Sequence, residues 1–497
     1  MIRPIKYLLI VSLLVAGLSV TAQKQTITFS LHDAIRIAQD QSPDALMAKH
    51  RFRSSYWSFR TFRATYLPGL QLDATIPNLN RSIEAITMPD GSSDYISRSL
   101  VNYSANLSLN QKVGWTGGEV FLNTGIQQMT NFYSDTTTRQ FLADMVSIGF
   151  RQPIFTYNAY KWDKKIEPLK YQEAQRKYLE DNEQVAITAI NRFFNLLSAQ
   201  IEVEIAKKNY ANYDTLYKIA KGRFNLGKIA ENELLQLELN LLKADASLEQ
   251  SELNYNNMLF LYKSYLRLKT DNNIRLIEPV VKTYFDIPLQ RAIEEAKNNT
   301  SAGLEFQRRL LQAQSDVNRA KMNGRFDAQL FASFGLTQTG DYLPDAYKNP
   351  LDQERVTVGI TLPILDWGRA RGSIRMAESN HDLVVTAVEQ DKIDFEQDIY
   401  LQVMQFGMQK KQLYIAAKSD TVAAKRYDVT YKRYMIGKVN DVLELNNAQI
   451  DNDNANLGFV NSLKNYWVNY YKIRKMTLFD FENQLPISTS FDTLITK

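Results

Sequence analysis

The 497-residue sequence has no cysteine and only three histidines, His32, His50 and His381. Without cysteine there are no disulfides, thiolate metal sites, cysteine nucleophiles or lipid attachment at a mature N-terminal Cys, so the fold must stand without staples. The histidines are scattered and lack carboxylate partners at metal-ligand spacing, which argues against a metal centre or a catalytic triad. There is no Gly-rich phosphate loop and no Gly-x-Ser-x-Gly. Paired acids such as Glu294-Glu295 and Asp451/Asp453 read more simply as solvated helix faces. The expectation is a protein that is not an enzyme, with no catalytic, cofactor-binding or metal site. An excess of charge is missing too: 59 Lys plus Arg against 54 Asp plus Glu, with Arg3 and Lys6 near the N-terminus, gives no nucleic-acid signature.

Long apolar runs are confined to the N-terminus. Arg3 and Lys6 precede the almost wholly apolar Leu8 to Val20, and Val20-Thr21-Ala22 ends on a small residue before Gln23. This is the pattern of a secretory signal peptide, residues 1–22, and it places the mature protein outside the cytoplasm. Later segments are interrupted by a charge or an amide every few residues. A membrane crossing would therefore have to be made by a closed β-barrel.

What the sequence does contain is a duplication. Met145 to Tyr157 (MVSIGFRQPIFTY) lies over Arg355 to Trp367 (RVTVGITLPILDW), with Val146/Val356, Gly149/Gly359, Pro153/Pro363 and Ile154/Ile364 matched at an offset of 210. The same offset aligns Tyr217 to Lys228 with Tyr427 to Lys438, including Arg223/Arg433, Gly227/Gly437 and Lys228/Lys438. Upstream, Leu31 to Ala38 resembles Leu289 to Ala296 at an offset of 258, so the first copy carries 48 additional residues before Pro153. Each copy reads as helix, β-segment, long helix, turn and returning helix.

The β-segments alternate. Val356, Val358, Ile360 and Leu362 are separated by polar or small residues, and Leu142, Val146, Ile148 and Phe150 repeat the pattern. So do Tyr103, Ala105, Leu107 and Leu109, then Val120, Leu122 and Ile126, and Leu330, Phe334 and Leu336. Such alternation fits an antiparallel sheet on a soluble core or a barrel with lipid outside and water inside. Five or six strands are too few for a single-chain barrel, which begins at about 8. If they span a bilayer, several chains must share one barrel. The 48 extra residues are compatible with an added hairpin, Asn102 to Gln111 and Gly118 to Gln128, placed either in the barrel or outside it.

The helices are long. Even 55 residues at about 1.5 Å each reach roughly 80 Å. Leu234, Leu241, Leu248, Tyr255 and Tyr262 sit seven apart, with Leu237, Ala244, Met258 and Tyr265 between them, a coiled-coil seam. Asn446 to Asn456 (NNAQIDNDNAN) is too polar to be buried all round, and reads either as the solvated exterior of a coiled coil or as the wall of an aqueous tunnel.

With these features, Leu362-Pro363-Ile364-Leu365-Asp366-Trp367-Gly368-Arg369 resembles the LPLFDGGR-type junction of the TolC family of outer-membrane efflux channels, the outer membrane factors. Tyr434-Met435-Ile436-Gly437 followed by Asp441-Val442-Leu443-Glu444 is similar to that family's YxxG and DVLD. The resemblance implies an α+β membrane protein: a homotrimer whose duplicated helix-strand-helix units form one shared outer-membrane β-barrel on a long periplasmic α-helical, coiled-coil barrel. It implies a localisation in the cell outer membrane with extension into the periplasm. Its partners would be a periplasmic adaptor (membrane fusion) protein, an inner-membrane efflux pump and outer-membrane lipid. On this reading residues 23–288 form the first repeat, with its β-segment at about 68–154 and its helical hairpin at about 160–270. Residues 289–480 form the second, with a β-segment at about 327–364 and a hairpin at about 368–478, and 481–497 is a periplasmic tail.

The site residues follow. The strand-to-helix junctions are Pro153, Pro363, Asp366, Trp367, Gly368 and Arg369. In the first copy Asn158 stands where Gly368 does, and is expected to take the left-handed backbone there. Arg223, Gly227, Lys228, Arg433, Tyr434, Gly437 and Lys438 form the periplasmic tip, where glycine suits a helix stop and the arginines either complement the helix dipole or contact the adaptor. Asp441 and Glu444, three apart on one helix face, either stabilise a helix N-terminus or form an acidic pore constriction. The competing classes are an exported periplasmic coiled-coil adaptor or scaffold and an exported β-rich enzyme.

Overall fold

The computed structural model of the protein describes residues 27–133, 136–269, 274–281, 284–436 and 442–495. In chain order the elements are β1 (Ile27–Phe29), α1 (Leu31–Gln41), α2 (Pro43–Ala64), and four strands, β2 (Gly69–Thr87), β3 (Ser93–Val113), β4 (Gly118–Phe132) and β5 (Thr137–Ile154). Helices α3 (Ala159–Asn225) and α4 (Glu231–Tyr265) follow, then β6 (Ile274–Leu276), α5 (Leu289–Asn299), α6 (Ser301–Asn323), β7 (Asp327–Gly340) and β8 (Leu351–Thr361). The chain continues with α7 (Arg369–Met435), α8 (Val442–Thr477), the short β9 (Phe479–Asp480) and β10 (Leu485–Pro486), and α9 (Phe491–Ile495). It divides into two compact units: one takes residues up to His50, Tyr178–Asn299 and Asp398–Thr489; the other takes Arg51–Lys177, Thr300–Gln397 and the residues from Ser490.

The second unit contains one six-stranded sheet in the order β2-β3-β4-β5-β7-β8, every neighbouring pair antiparallel. Directly opposed residues point to the same face, so the register sorts the side chains. Across the sheet Leu70, Leu109, Leu122, Ile148 and Phe334 form one row, and Val120, Phe150, Ala332 and Val356 form another on the same face. On the opposite face Gln71, Ser108, Asn123, Ser147 and Gly335 are in register. One face is therefore mostly apolar, interrupted by Gln111 on β3 and by Asp352 and Glu354 at the start of β8, and the other is mostly polar or small, with Phe121 and Phe331 stacked on it. The apolar face is uncovered within the chain: Leu70 is 68% exposed, Ile148 53% and Val356 72%. A soluble sheet of this width would bury such a face.

Two bulges modify the alternation read from sequence. A register shift between Asp144 and Val146 moves Leu142 to the polar face, opposite Thr339 and Gln127, and brings Ala143 to the apolar side. Leu142 therefore does not continue the Val146-Ile148-Phe150 series, because one extra residue in a strand reverses the face of everything beyond it. The second shift, between Thr75 and Asn78, contains Pro77, which has no N–H for a ladder.

The first unit is helical. β1 pairs in parallel with β6, and Ser30 and Asp33 form a capping box at the start of α1. On α4 the buried positions Leu237, Ala244 and Tyr262 belong to the heptad seam, while Leu235, Leu239, Leu242, Leu253 and Phe260 are exposed. A second apolar series lies on α7: Leu401, Met408, Ile415, Val422 and Val429 are seven apart and all about half exposed. Within this unit Phe406 packs on Tyr466 and Tyr470, with ring centroids 5.2 and 5.9 Å apart.

Candidate functional site: strand ends, helix tips and the acidic turn

At the second junction the ladder ends at Thr361, two residues before Pro363, and the chain turns through Trp367 (φ 54°) and Gly368 (φ 83°) into α7. Asp366 fixes this turn. Its Oδ1 accepts from the Gly368 N–H at 2.9 Å and its Oδ2 from the Ala370 N–H at 2.9 Å. These two backbone donors, Ala370 first, hold its carboxyl below the usual carboxylate range. Because the folded value is depressed, the cap is at full strength above the ordinary aspartate pKa and fails as pH falls through the lower, folded value. Arg369 lines a groove of about 740 Å³ in the same unit with Arg308, Arg309 and Arg319. Arg308 pairs with Glu173 through two hydrogen bonds, and Arg309 with Asp391 at 2.6 Å.

The first junction is built differently. Pro153 still lies in a ladder, opposite Gln329, and the left-handed residue is Phe155 (φ 64°), not Asn158. Asn158 instead caps α3. Its Oδ1 accepts from the Lys161 N–H at 3.1 Å while its Nδ2 donates to the Gly114 carbonyl at 3.2 Å. The side chain was thus the useful part of Asn158, and it ties the β3–β4 turn to the start of α3. Both helices begin at equivalent positions, Ala159 and Arg369, 210 residues apart, although their caps come from non-equivalent residues.

Large exposed aromatics gather at both ends of the sheet. Trp115 in the β3–β4 turn, Phe155 after β5 and Trp367 after β8 (90% exposed) mark the junction end; Tyr133 after β4 and Tyr342 after β7 mark the other. Between them β8 is 11 residues long, the length needed by a tilted membrane strand.

The tip of the first hairpin closes in a Schellman arrangement. The Lys228 N–H donates to the Arg223 carbonyl at 2.9 Å and the Gly227 N–H to the Phe224 carbonyl at 2.8 Å, with Gly227 at φ 67°. Gly227→Ala is expected to cost about 1–2 kcal/mol by forcing a Cβ into the left-handed region; a melting transition of the purified protein unchanged from wild type would contradict this. Leu226, 71% exposed beside Gly227, is a tip residue that the sequence reading passed over, since the motif drew attention to the glycine. Arg223 lies over the Tyr434 ring at 5.6 Å, and Tyr434 is only 4% exposed, packed in a cluster with Leu216, Ala220, Leu237, Val442 and Leu445. Lys228 and Arg433 are exposed.

Gly437, Lys438 and Asp441 lie outside the described residues. Glu444 is half-buried in the first turn of α8. The polar run after it is largely engaged with neighbouring helices. Tyr213 donates to Asn446 Oδ1 at 2.7 Å, Asn209 to Asp453 Oδ2 at 2.7 Å, and Asn456 to Asp420 Oδ1 at 3.3 Å; Asp451 pairs with Arg426. Much of its polarity is therefore explained by bonds between helices.

One cluster carried no sequence motif. Arg474 makes two hydrogen bonds to Glu183, at 2.9 and 3.2 Å, and a third to Asp480 at 2.6 Å, joining α8 to α3 and to β9. Tyr470 donates to the other Asp480 oxygen at 2.6 Å. Burial pushes the Glu183 carboxyl up, opposed by the Arg474 guanidinium. Burial also works on Asp480, but the Tyr470 hydroxyl, Asn483 and Arg474 outweigh it and hold that carboxyl below the usual range.

Among the described residues no helix is long and apolar enough to cross a membrane. A sheet mostly apolar on one face, mostly polar on the other and rimmed by aromatics, in a chain that also carries long paired helices, has the side-chain pattern of a membrane β-barrel wall. The model of the outer membrane efflux protein family matches residues 293–477, and over them the chain is similar to that family. This is a family of channels and not of enzymes. Among solved structures, the Campylobacter jejuni CmeC outer membrane channel aligns with a TM-score of 0.65 at 17% identity, covering 94% of this chain and 88% of that one. The outer membrane protein VceC from Vibrio cholerae gives 0.61 at 12% identity over 90% and 95%, and the Neisseria gonorrhoeae MtrE outer membrane channel 0.62 at 14% over 90% and 88%. No curated protein sequence matches the chain.

Proposed function

We propose that the protein is the outer-membrane channel subunit of a tripartite efflux or type I secretion system. Substrates pass through it without catalysis, from a periplasmic adaptor and an inner-membrane pump to the exterior. The observation that carries this reading is the uncovered apolar face of the six-stranded sheet, backed by a polar face and rimmed by aromatics, which suits lipid on one side and water on the other. An exported coiled-coil adaptor or scaffold has no use for such a face. The chain acts as a homotrimer in the outer membrane with its helices in the periplasm. Residues 23–288 and 289–480 are the two repeats, following a signal peptide at 1–22, and 481–497 is a periplasmic tail.

The tip residues Arg223, Gly227, Lys228, Arg433, Tyr434, Gly437 and Lys438 serve adaptor docking in two ways. The exposed Lys228 and Arg433, with Leu226, supply contacts, while Arg223 and the buried Tyr434 keep the hairpins in place. The junction residues Pro153, Pro363, Asp366, Trp367, Gly368 and Arg369 seat the sheet at the periplasmic interface of the outer membrane. Asp441 and Glu444 form the constriction: three copies bring six carboxylates together, whose repulsion favours a solvated ring that selects cations. Asp441→Asn combined with Glu444→Gln is expected to raise single-channel conductance in planar bilayers and to weaken cation preference. Unchanged conductance and selectivity in the purified oligomer would remove the constriction role.

A further inference from the structure

We propose, building on the channel reading, that each chain gives all six of its strands to the barrel wall. The wall closes by pairing β8 of one copy with β2 of the next, so that three copies make a barrel of 18 strands. The first repeat supplies four of these strands and the second two, an asymmetry that the 48 additional residues made visible but did not place.

Three observations carry the inference. First, no strand branches from the sheet: the β2–β3 hairpin is paired to β4 along Ser99–Val113, so it cannot leave the wall without breaking that ladder. Second, the number of strands is even and every pair is antiparallel, so β2 and β8 of one chain run in opposite directions. A rotation about a common axis therefore sets β8 antiparallel to the next copy's β2, the same pairing as everywhere else in the sheet. Third, at the junction end of the sheet both faces reach both edges, while Asp352 and Glu354 stand on the apolar face at the opposite end of β8. Leu70 and Leu72 on β2, and Val356, Val358 and Ile360 on β8, are exposed on the apolar face, and Gln71, Asp73 and Thr75 match Thr357 and Thr361 on the polar one.

A second copy of this chain is the occupant that these edges fit. Six strands are fewer than the roughly eight with which single-chain barrels begin, and two open edges of this length invite association until they are paired. The helical unit offers a parallel case: the exposed heptad of α7 and the exposed stripe of α4 have no partner among the described residues of the chain, and each suits the other on a neighbouring copy. Barrel diameter grows roughly linearly with strand number, and 16–18 strands leave an aqueous lumen. The narrowest part of the pathway then lies among the helices and not in the sheet.

Because the native chain lacks cysteine, the seam can be mapped by cross-linking in the full-length protein in outer membranes. Thr357→Cys is combined in turn with Gln71→Cys, Asp73→Cys and Thr75→Cys, and, as the competing arrangement, with Asn123→Cys on β4. Oxidation is expected to convert the monomer band into covalent dimers and a closed trimer for at least one β2 position and not for Asn123→Cys. Links through Asn123→Cys instead would mean that β2 and β3 lie outside the wall, overturning the six-strand assignment while leaving the channel intact. A covalent ring of two or four copies overturns the count of 18. Cross-links in no pair, with the chain released as a soluble protein, overturn the inference and the channel reading together. Electron cryomicroscopy of the unsubstituted oligomer gives an independent count, 18 strands in cross-section if the inference holds and 12 if it does not.

Discussion

Replacing Arg474 with alanine is expected to cost about 3–5 kcal/mol of stability and to abolish assembly of the oligomer at growth temperature. The side chain joins three elements, α3 through Glu183, β9 through Asp480, and its own helix α8. Glu183 is 2% exposed, so removal of the guanidinium leaves a carboxylate in a site that already disfavours its charge. That penalty is larger than the loss of three hydrogen bonds to a surface group would be. Arg474→Lys should recover only part of it, because an ammonium cannot make the paired contact to Glu183. The triple change Arg474→Met, Glu183→Leu and Asp480→Asn should come far closer to wild type, since removing every charge of the buried cluster removes the desolvation cost along with the attraction. Thermal unfolding of the detergent-purified protein orders the three variants. An alanine variant as stable as wild type would mean that the cluster is not the clasp its geometry indicates.

The second large effect is expected on the sheet. Val356→Arg places a charge midway along β8 on the apolar face, where an arginine at the centre of a bilayer costs about 2–4 kcal/mol. Thr357→Arg places the same charge one residue away on the polar face, beside Arg355 and the ring of Phe331, and should be tolerated with little loss of assembled protein. The contrast is the point of the pair. On a water-soluble sheet Val356→Arg would be neutral or improve solubility, because Val356 is already exposed. The amount of each variant recovered in assembled, membrane-embedded form decides between the two.

How far the sequence reveals this architecture depends on the kind of residue involved. An offset of 210 residues was readable from Pro153 and Pro363, and α3 and α7 begin at that same spacing, at Ala159 and Arg369. The seam of α4 was legible because a seven-residue period is a direct image of helix geometry. Strand faces were legible only up to the first bulge: Leu142 looks identical to Leu122 in a pattern count, and nothing in its neighbours announces the shift at Asp144. Junction chemistry was legible where glycine marks it, at Gly368, and misleading where an aromatic residue, Phe155, takes the left-handed backbone that Asn158 was expected to adopt. Arg474 was invisible because its partners lie 291 and 6 residues away and no motif links them. Polarity was the least specific signal of all. Asn446 and Asp453 were open to two solvated readings, whereas their partners are Tyr213 and Asn209 on another helix.

The central claim is that the apolar sheet face lies against lipid. It is tested most directly by separating the membranes of cells that make the full-length chain and washing the outer-membrane fraction with urea and alkaline carbonate. The chain should stay with the outer membrane and migrate there as a heat-modifiable oligomer that resists both washes. Recovery of the protein in the soluble periplasmic fraction, or its release by either wash, would contradict the account.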